Sequence, residues 1–320
     1  MNGDSRPPRP YRPADDFSDA IPDVRLRSGP LKLARWTAAV AAFLLWLAGV
    51  GFLAFLAVFL IPSALMRKGP AGPVLSGAQA VQVYLERGNA HYARKEYDLA
   101  LADYDQTLRL DPKNGRIYTN RGNAWAGKRD FDKALADHDL AVQYDPQNAL
   151  SYFNRGIVLG AKQEYGKAMA DYDQTLRLDP GHVGAYNNRG VLWMDKGEYD
   201  KALVDFDQAV RLDPNNDMAY SNRGDVWRLK GEYDKALADH DRAVRIDPQN
   251  ALSYFNRALV YDARGQDDKA LADYDQTIRL NPGYAQAYHQ RAGVYQRKGD
   301  AARAEADRRK AASLDPSLGP

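Results

Sequence analysis

The chain has 320 residues, with 44 Lys and Arg against 42 Asp and Glu and a formal charge of +2. Residues 1–80 hold nine basic and five acidic side chains, which leaves 35 and 37 for the remaining 240; that larger part has no cationic excess with which to neutralise phosphates and is not a general nucleic-acid binder. Cysteine is absent, which excludes disulfides, thiol catalysis and Cys-ligated zinc.

The first 35 residues are rich in Pro, Arg and Asp. So little apolar surface cannot offset the entropy of ordering, and the reading is a disordered tail with polyproline character. Pro7, Pro10 and Pro13 make overlapping P-x-x-P steps, but a solvated tail accounts for them. Residues 36–61 (WTAAVAAFLLWLAGVGFLAFLAVFLI) contain no charge. At 1.5 Å per residue they would extend about 39 Å as a helix, enough to cross a hydrocarbon core of roughly 30 Å with some tilt. The competing reading is a cleaved signal peptide. The 35 preceding residues are long for its basic region, and Pro62 and Leu65 surround Ala64 poorly for cleavage, so the expectation is an uncleaved single-pass anchor in a lipid bilayer. Arg25, Arg27, Lys32 and Arg35 precede the span and Arg67 and Lys68 follow it. That asymmetry places the N-terminus in the cytoplasm and the C-terminal part on the other side. Residues 62–80, with Pro, Gly and Ser, read as a flexible linker.

From residue 81 the chain is periodic. Pro112, Pro146, Pro180, Pro214, Pro248, Pro282 and Pro316 each follow Asp or Asn at a constant spacing of 34, a period that marks a stacked array. The units are 81–114, 115–148, 149–182, 183–216, 217–250, 251–284 and 285–318. In the fourth, Tyr186, Gly190 and Trp193 form one stripe of helical period, and Tyr199, Ala202, Leu203, Phe206, Ala209 and Val210 form another. Gly197, Gly231, Gly265 and Gly299 stand where a first helix should end. Asn114, Asn148, Asn216 and Asn250 stand where the next should be capped. Each unit is thus two antiparallel helices, and stacking buries the face that a lone hairpin would leave wet.

The pattern resembles the tetratricopeptide repeat family. The residues that carry the resemblance are the first-helix aromatics, as at Tyr186, the small residues four positions on, as at Gly190, the second-helix alanines, as at Ala202, and the prolines. The resemblance implies an all-α fold, a right-handed α-solenoid of seven helix-turn-helix repeats, preceded here by one transmembrane helix, with a concave face lined mainly by first helices. The repeats are similar to those of bacterial members, which implies an inner-membrane anchor and repeats in the periplasm.

One position departs from the family pattern, whose commoner residue there is apolar. Arg87, Arg121, Arg155, Arg189, Arg223, Arg257 and Arg291 each lie three residues after the first-helix aromatic and share its buried side. The second helices answer with Asp103, Asp137, Asp171, Asp205, Asp239, Asp273 and Asp307. A buried charge needs a partner, so these are expected to pair within or between units.

Asn120, Asn154, Asn188, Asn222 and Asn256 form a ladder one residue before the arginines. An amide can both donate to and accept from a peptide backbone. O-GlcNAc transferases carry a similar ladder that holds target peptides, and from that resemblance only the grip carries over. The same amides could instead bond to neighbouring helices. Residues 133–156 and 235–258 are nearly identical, an echo at 102 residues or three units. It places Leu150, Phe153 and Ile157, and again Leu252, Phe255 and Leu259, on the groove side as two expected apolar patches for a peptide or partner helix. Inter-unit packing is the other use for these side chains. In the last unit Arg308 and Ala301 replace second-helix aromatics, which suits an array that must end in water.

None of the five histidines falls in a metal or catalytic pattern; His138 and His240 occupy slots that other units fill with Tyr or Phe. No Walker, G-x-S-x-G, H-E-x-x-H or EF-hand pattern occurs. The expectation is a non-enzymatic, cofactor-free and metal-free scaffold, membrane-anchored, that binds a protein or peptide in its concave face. The alternative is an architectural envelope protein whose repeats self-associate.

Overall fold

A computed structural model describes residues 77–319. The tail, the apolar stretch at 36–61 and most of the linker lie outside the described residues. No helix among the described residues is long and apolar enough to cross a membrane.

Among the described residues fourteen α-helices follow one another in seven hairpins. They are α1 Gly77–Ala93 and α2 Tyr97–Leu110, α3 Gly115–Gly127 and α4 Phe131–Tyr144, α5 Ala149–Ala161 and α6 Tyr165–Leu178, α7 Val183–Asp195 and α8 Tyr199–Leu212. The array continues with α9 Asp217–Leu229 and α10 Tyr233–Ile246, α11 Ala251–Ala263 and α12 Asp267–Leu280, α13 Ala285–Arg297 and α14 Ala301–Leu314, and a short 3₁₀ turn at Pro316–Leu318. Helix α1 starts at Gly77, so the last four residues assigned to a linker (GAQA) are helical. Their two alanines are strong helix formers, and they extend the first turn rather than interrupt it.

The helix ends follow from local chemistry. Asn114, Asn148, Asn216 and Asn250 accept hydrogen bonds from the backbone N–H groups of Ile117, Leu150, Ala219 and Leu252, which satisfies a donor the first turn would otherwise orphan. His182 does the same for α7 through Nδ1, 3.1 Å from the N–H of Ala185, a cap that no sequence rule announces. At the other end, Asp213 is driven to φ −131°, ψ 92°, because a residue before proline is sterically excluded from the helical region. The turn inside each hairpin needs one residue at positive φ. Gly197 supplies it at +75°, where a side chain would be strained. The first three units put Lys95, Arg129 and Gln163 there, at φ of 60° to 62°, each at a local cost of about 1–2 kcal/mol.

The core lies within and between hairpins. The second-helix alanines, Ala100 to Ala304, are fully buried, so the two helices meet closely at that point. The large ring one turn later lies against the small residue of the first helix: a Cβ added at Gly190 would come within 2.7 Å of the Phe206 ring. Tyr104, Tyr172 and Tyr274 fill the equivalent place, as do His138 and His240.

His138 is the anomaly. It is fully buried, neither ring nitrogen has a hydrogen-bond partner, and burial, followed by the nearby charge of Arg155, lowers its pKa to about 3. In the unfolded chain it titrates near 6.5. Between pH 6.5 and 3 the unfolded state therefore binds a proton that the folded state refuses, and stability falls as the pH drops through that window. The His138→Phe variant should show a flatter decline. At pH 5 the wild type should have lost about 2 kcal/mol more than the variant relative to pH 7.5, as read from urea unfolding midpoints at each pH.

Candidate functional site

The seven arginines and seven aspartates form a ladder. Each guanidinium meets the aspartate of its own hairpin through two parallel bonds, Nε at 2.7–2.8 Å and Nη2 at 2.5–2.8 Å. Such bidentate pairs are the strong, geometrically specific ones. A second rung, made by aspartates outside the expected set, crosses to the preceding unit. Nη1 of Arg121, Arg155, Arg189, Arg223, Arg257 and Arg291 donates to Asp105, Asp139, Asp173, Asp207, Asp241 and Asp275 at 2.5–2.8 Å. The signal was present: the D-x-D spacing of the second helices puts a carboxylate two residues beyond each predicted partner. Each guanidinium also lies over the tyrosine three residues earlier, at 5.3–5.7 Å from the ring centroid, within cation–π range.

Burial sets the chemistry of these groups. The own-unit carboxylates are almost dry, and the guanidinium groups from Arg121 onward are 16–22 % exposed. Arginine pKa values rise above their ordinary range; for Arg189 the hydrogen bond it donates to Asp205 is the largest cause. Burial pushes the Asp205 carboxyl up against the pull of Arg189. From Arg121 onward these charges are satisfied by one another and hold the stack together; among the described residues Arg87 alone is left without the second carboxylate.

A second set of inter-unit bridges runs along the hairpin turns. Lys128, Lys162, Lys230, Arg264 and Lys298 reach Asp98, Asp132, Asp200, Asp234 and Asp268 of the preceding unit. Lys196 lacks that partner because Gly166 stands where the aspartate would be. The carboxylates here are 81–90 % exposed, so these bridges contribute little.

Among the described residues, neighbouring first helices approach each other most closely at α1–α3, α3–α5, α7–α9 and α9–α11, and more closely there than neighbouring second helices do. The first helices therefore form the inner wall. The expected ladder of free amides is corrected on this wall: Asn120, Asn154, Asn188 and Asn256 are buried and Asn222 is half-buried. The side chain at this position points across to the first helix of the preceding unit. Asn120 donates to Asn89 at 3.0 Å, Asn222 to Asn187 at 3.0 Å, and Asn256 to Ser221 at 3.0 Å and Asp225 at 3.3 Å. The amide of Asn154 and the Nδ2 of Asn188 are buried without a hydrogen-bond partner, as is the amide of Asn123. Asn123 and Asn154 occupy the positions equivalent to the bonded pair Asn89 and Asn120.

The two apolar patches are corrected in the same way. Phe153, Ile157, Phe255 and Leu259 are buried. Phe153 lies 4.3 Å from the ring of His182 and Phe255 4.9 Å from that of Tyr284. A Cβ at Gly184 would meet the Phe153 ring at 2.9 Å. These phenylalanines wedge into the α5–α7 and α11–α13 steps, the two at which the first helices do not approach closely. Leu150 is half-buried. Leu252 remains open at 40 % exposure and its counterpart Met218 at 43 %.

The comparisons with known proteins agree with this geometry. Tetratricopeptide repeat models match residues 183–216 and 251–284, residues 149–182 and 285–318, and, as a TPR repeat model, residues 88–128 and 224–263. The chain belongs to the tetratricopeptide repeat family. Repeats of this family in general mediate protein–protein interactions. Among solved structures, a tetratricopeptide repeat protein from Parabacteroides merdae is 22 % identical, with a TM-score of 0.60 over 74 % of this chain and 94 % of that one. The pilF protein of Pseudomonas aeruginosa is 20 % identical, with a TM-score of 0.61 over 68 % and 99 %. The C-terminal part of a TPR repeat-containing protein from Cytophaga hutchinsonii is 18 % identical, with a TM-score of 0.55 over 73 % and 96 %. These likenesses show the fold. No curated protein matches the chain significantly in sequence.

In this tetratricopeptide array the two rungs should differ in energy. Asp205→Ala removes the bidentate partner of the partly buried Arg189, leaving it only Asp173, and should cost about 3–5 kcal/mol. Asp173→Ala removes a carboxylate that is 47 % exposed and should cost no more than about 1 kcal/mol. Denaturant unfolding of the two variants side by side checks the difference.

Proposed function

We propose that this chain is a membrane-tethered interaction scaffold that takes an extended peptide or partner helix along its wall of first helices. The observation that carries this reading is the pair Met218 and Leu252, equivalent residues of successive units that stay open to solvent on that wall while the other large apolar side chains at the predicted groove positions are buried or half-buried. A side chain left exposed at the same register in adjacent repeats offers two anchor points in line. The half-buried Asn222 lies between them in sequence and can supply a polar contact. The reading thus moves the grip from the five-asparagine ladder to a shorter stretch spanning the fifth and sixth units. The uncharged residues 36–61 would supply the tether, and residues 62–76 its reach.

The reading is tested with peptides selected from a random display library on the purified full-length chain. Selected peptides should lose at least about tenfold in affinity on the Met218→Glu, Leu252→Glu double variant, the loss expected of about 1.4 kcal/mol. Equal binding to both proteins would exclude this stretch as the groove. In native membranes the chain should stay in the pellet after alkaline carbonate extraction, and its release would remove the tether.

A further inference from the structure

The two ends of the array are not alike. At two positions of the first helix, the third and tenth of each unit, the side chain faces the preceding unit. From the second unit to the last these side chains, Ile117 and Ala124 through Ala287 and Val294, are at most 1 % exposed. In the first unit the same positions are Val83, 44 % exposed, and Ala90, also exposed. Arg87 lies between them. It makes the two bonds to its own Asp103 but, among the described residues, has no second carboxylate at Nη1, and its side chain is 55 % exposed.

Elsewhere in the array this face is covered six times in the same way. The second helix of the preceding unit presents an apolar residue, then an aspartate four positions on, then an apolar residue three further: Leu101, Asp105 and Leu108 in the first unit. Leu101 and Leu108 pack with Ile117 and Ala124, and Asp105 receives Nη1 of Arg121. At the far end of the array the same three positions are Glu305, Arg309 and Ala312. Arg309 there is turned to Glu305 of its own helix, 3.5 Å away. A second copy stacked head to tail would set Arg309 against Arg87, a like-charge contact in place of the rung. The C-terminal face therefore does not fit the N-terminal face of a second copy, and among the described residues nothing covers Val83, Arg87 and Ala90.

We propose that the N-terminal face of the array, Val83, Arg87 and Ala90, docks an amphipathic helix of a partner protein that presents an aspartate between two apolar residues at the spacing of Leu101, Asp105 and Leu108. The partner helix lays its apolar side chains on Val83 and Ala90, and its carboxylate accepts from Nη1 of Arg87. This site is separate from the inner wall and stands whether or not that wall takes a peptide.

The probe is a lactam-bridged helical peptide with the sequence of residues 97–110, YDLALADYDQTLRL, added to the full-length chain and followed by fluorescence anisotropy. Saturable binding is expected, weakened at least about tenfold by Arg87→Gln in the protein or by the Asp105→Asn change in the peptide, and equally by Val83→Glu. Arg87→Lys, which keeps the charge, should restore part of it. No saturation, or binding indifferent to all of these changes, overturns the proposal. A photo-cross-linker at position 83 of the full-length chain adds a second reading. Capture of the peptide supports the site, whereas a cross-link to residues 1–76 or to a second copy without peptide overturns it by showing the face already taken.

Discussion

A guanidinium held by two carboxylates from different hairpins is the constraint on which this array depends. An arginine facing the inside of a helical repeat would be costly alone. Here it is satisfied three ways: bidentately by its own unit, by a third bond from the unit before, and by a tyrosine ring. The second of these makes the arginine more than a local pair. It fixes the distance and register of each hairpin against the last, because a planar fork donates to carboxylates only in its own plane. An apolar residue at the same place would hold the hairpins together with less preference for one register.

The rest of the architecture fits around that repeat. Alanine at the close approach, glycine beneath the second-helix ring and asparagine at the cap each solve one local problem, and the 34-residue period copies the solution along the chain. On the inner wall polar seams (Asn89 with Asn120, Ser221 and Asp225 with Asn256) alternate with the phenylalanine wedges. That alternation explains the 102-residue echo in structural terms. Both copies deliver a bulky ring to a step between first helices, three units apart.

Much of this was legible in the sequence. The period gives the hairpins, the prolines their stops, and the asparagines their caps, because each of these depends on neighbours a few residues away. That the arginines pair with the aspartates was legible too, since a buried charge needs a partner; which unit supplies the carboxylate was not. What depends on the approach of one hairpin to the next was not. Asn154 and Phe153 lie on the side of the first helix that faces the groove and on the edge that faces the preceding or following unit. A period cannot tell how near that neighbour comes. Where the first helices close on one another Asn154 is withdrawn into the seam, and where they stand wider Phe153 wedges between them. The strained turns at Lys95, Arg129 and Gln163 escaped notice for another reason: no glycine marks them, and the surrounding hairpin imposes the positive φ.

The most direct test of the ladder is native-state hydrogen exchange on the Arg223→Leu variant, which keeps bulk at the site and removes the fork. If the guanidinium ties three elements together, amide protection should fall in α9, in α10 of the same hairpin and in α8 of the hairpin before, while α4 and α12 keep theirs. Loss of protection confined to α9 and α10, with α8 unchanged, would show that the inter-unit bond carries no coupling and that apolar packing alone holds the hairpins in register.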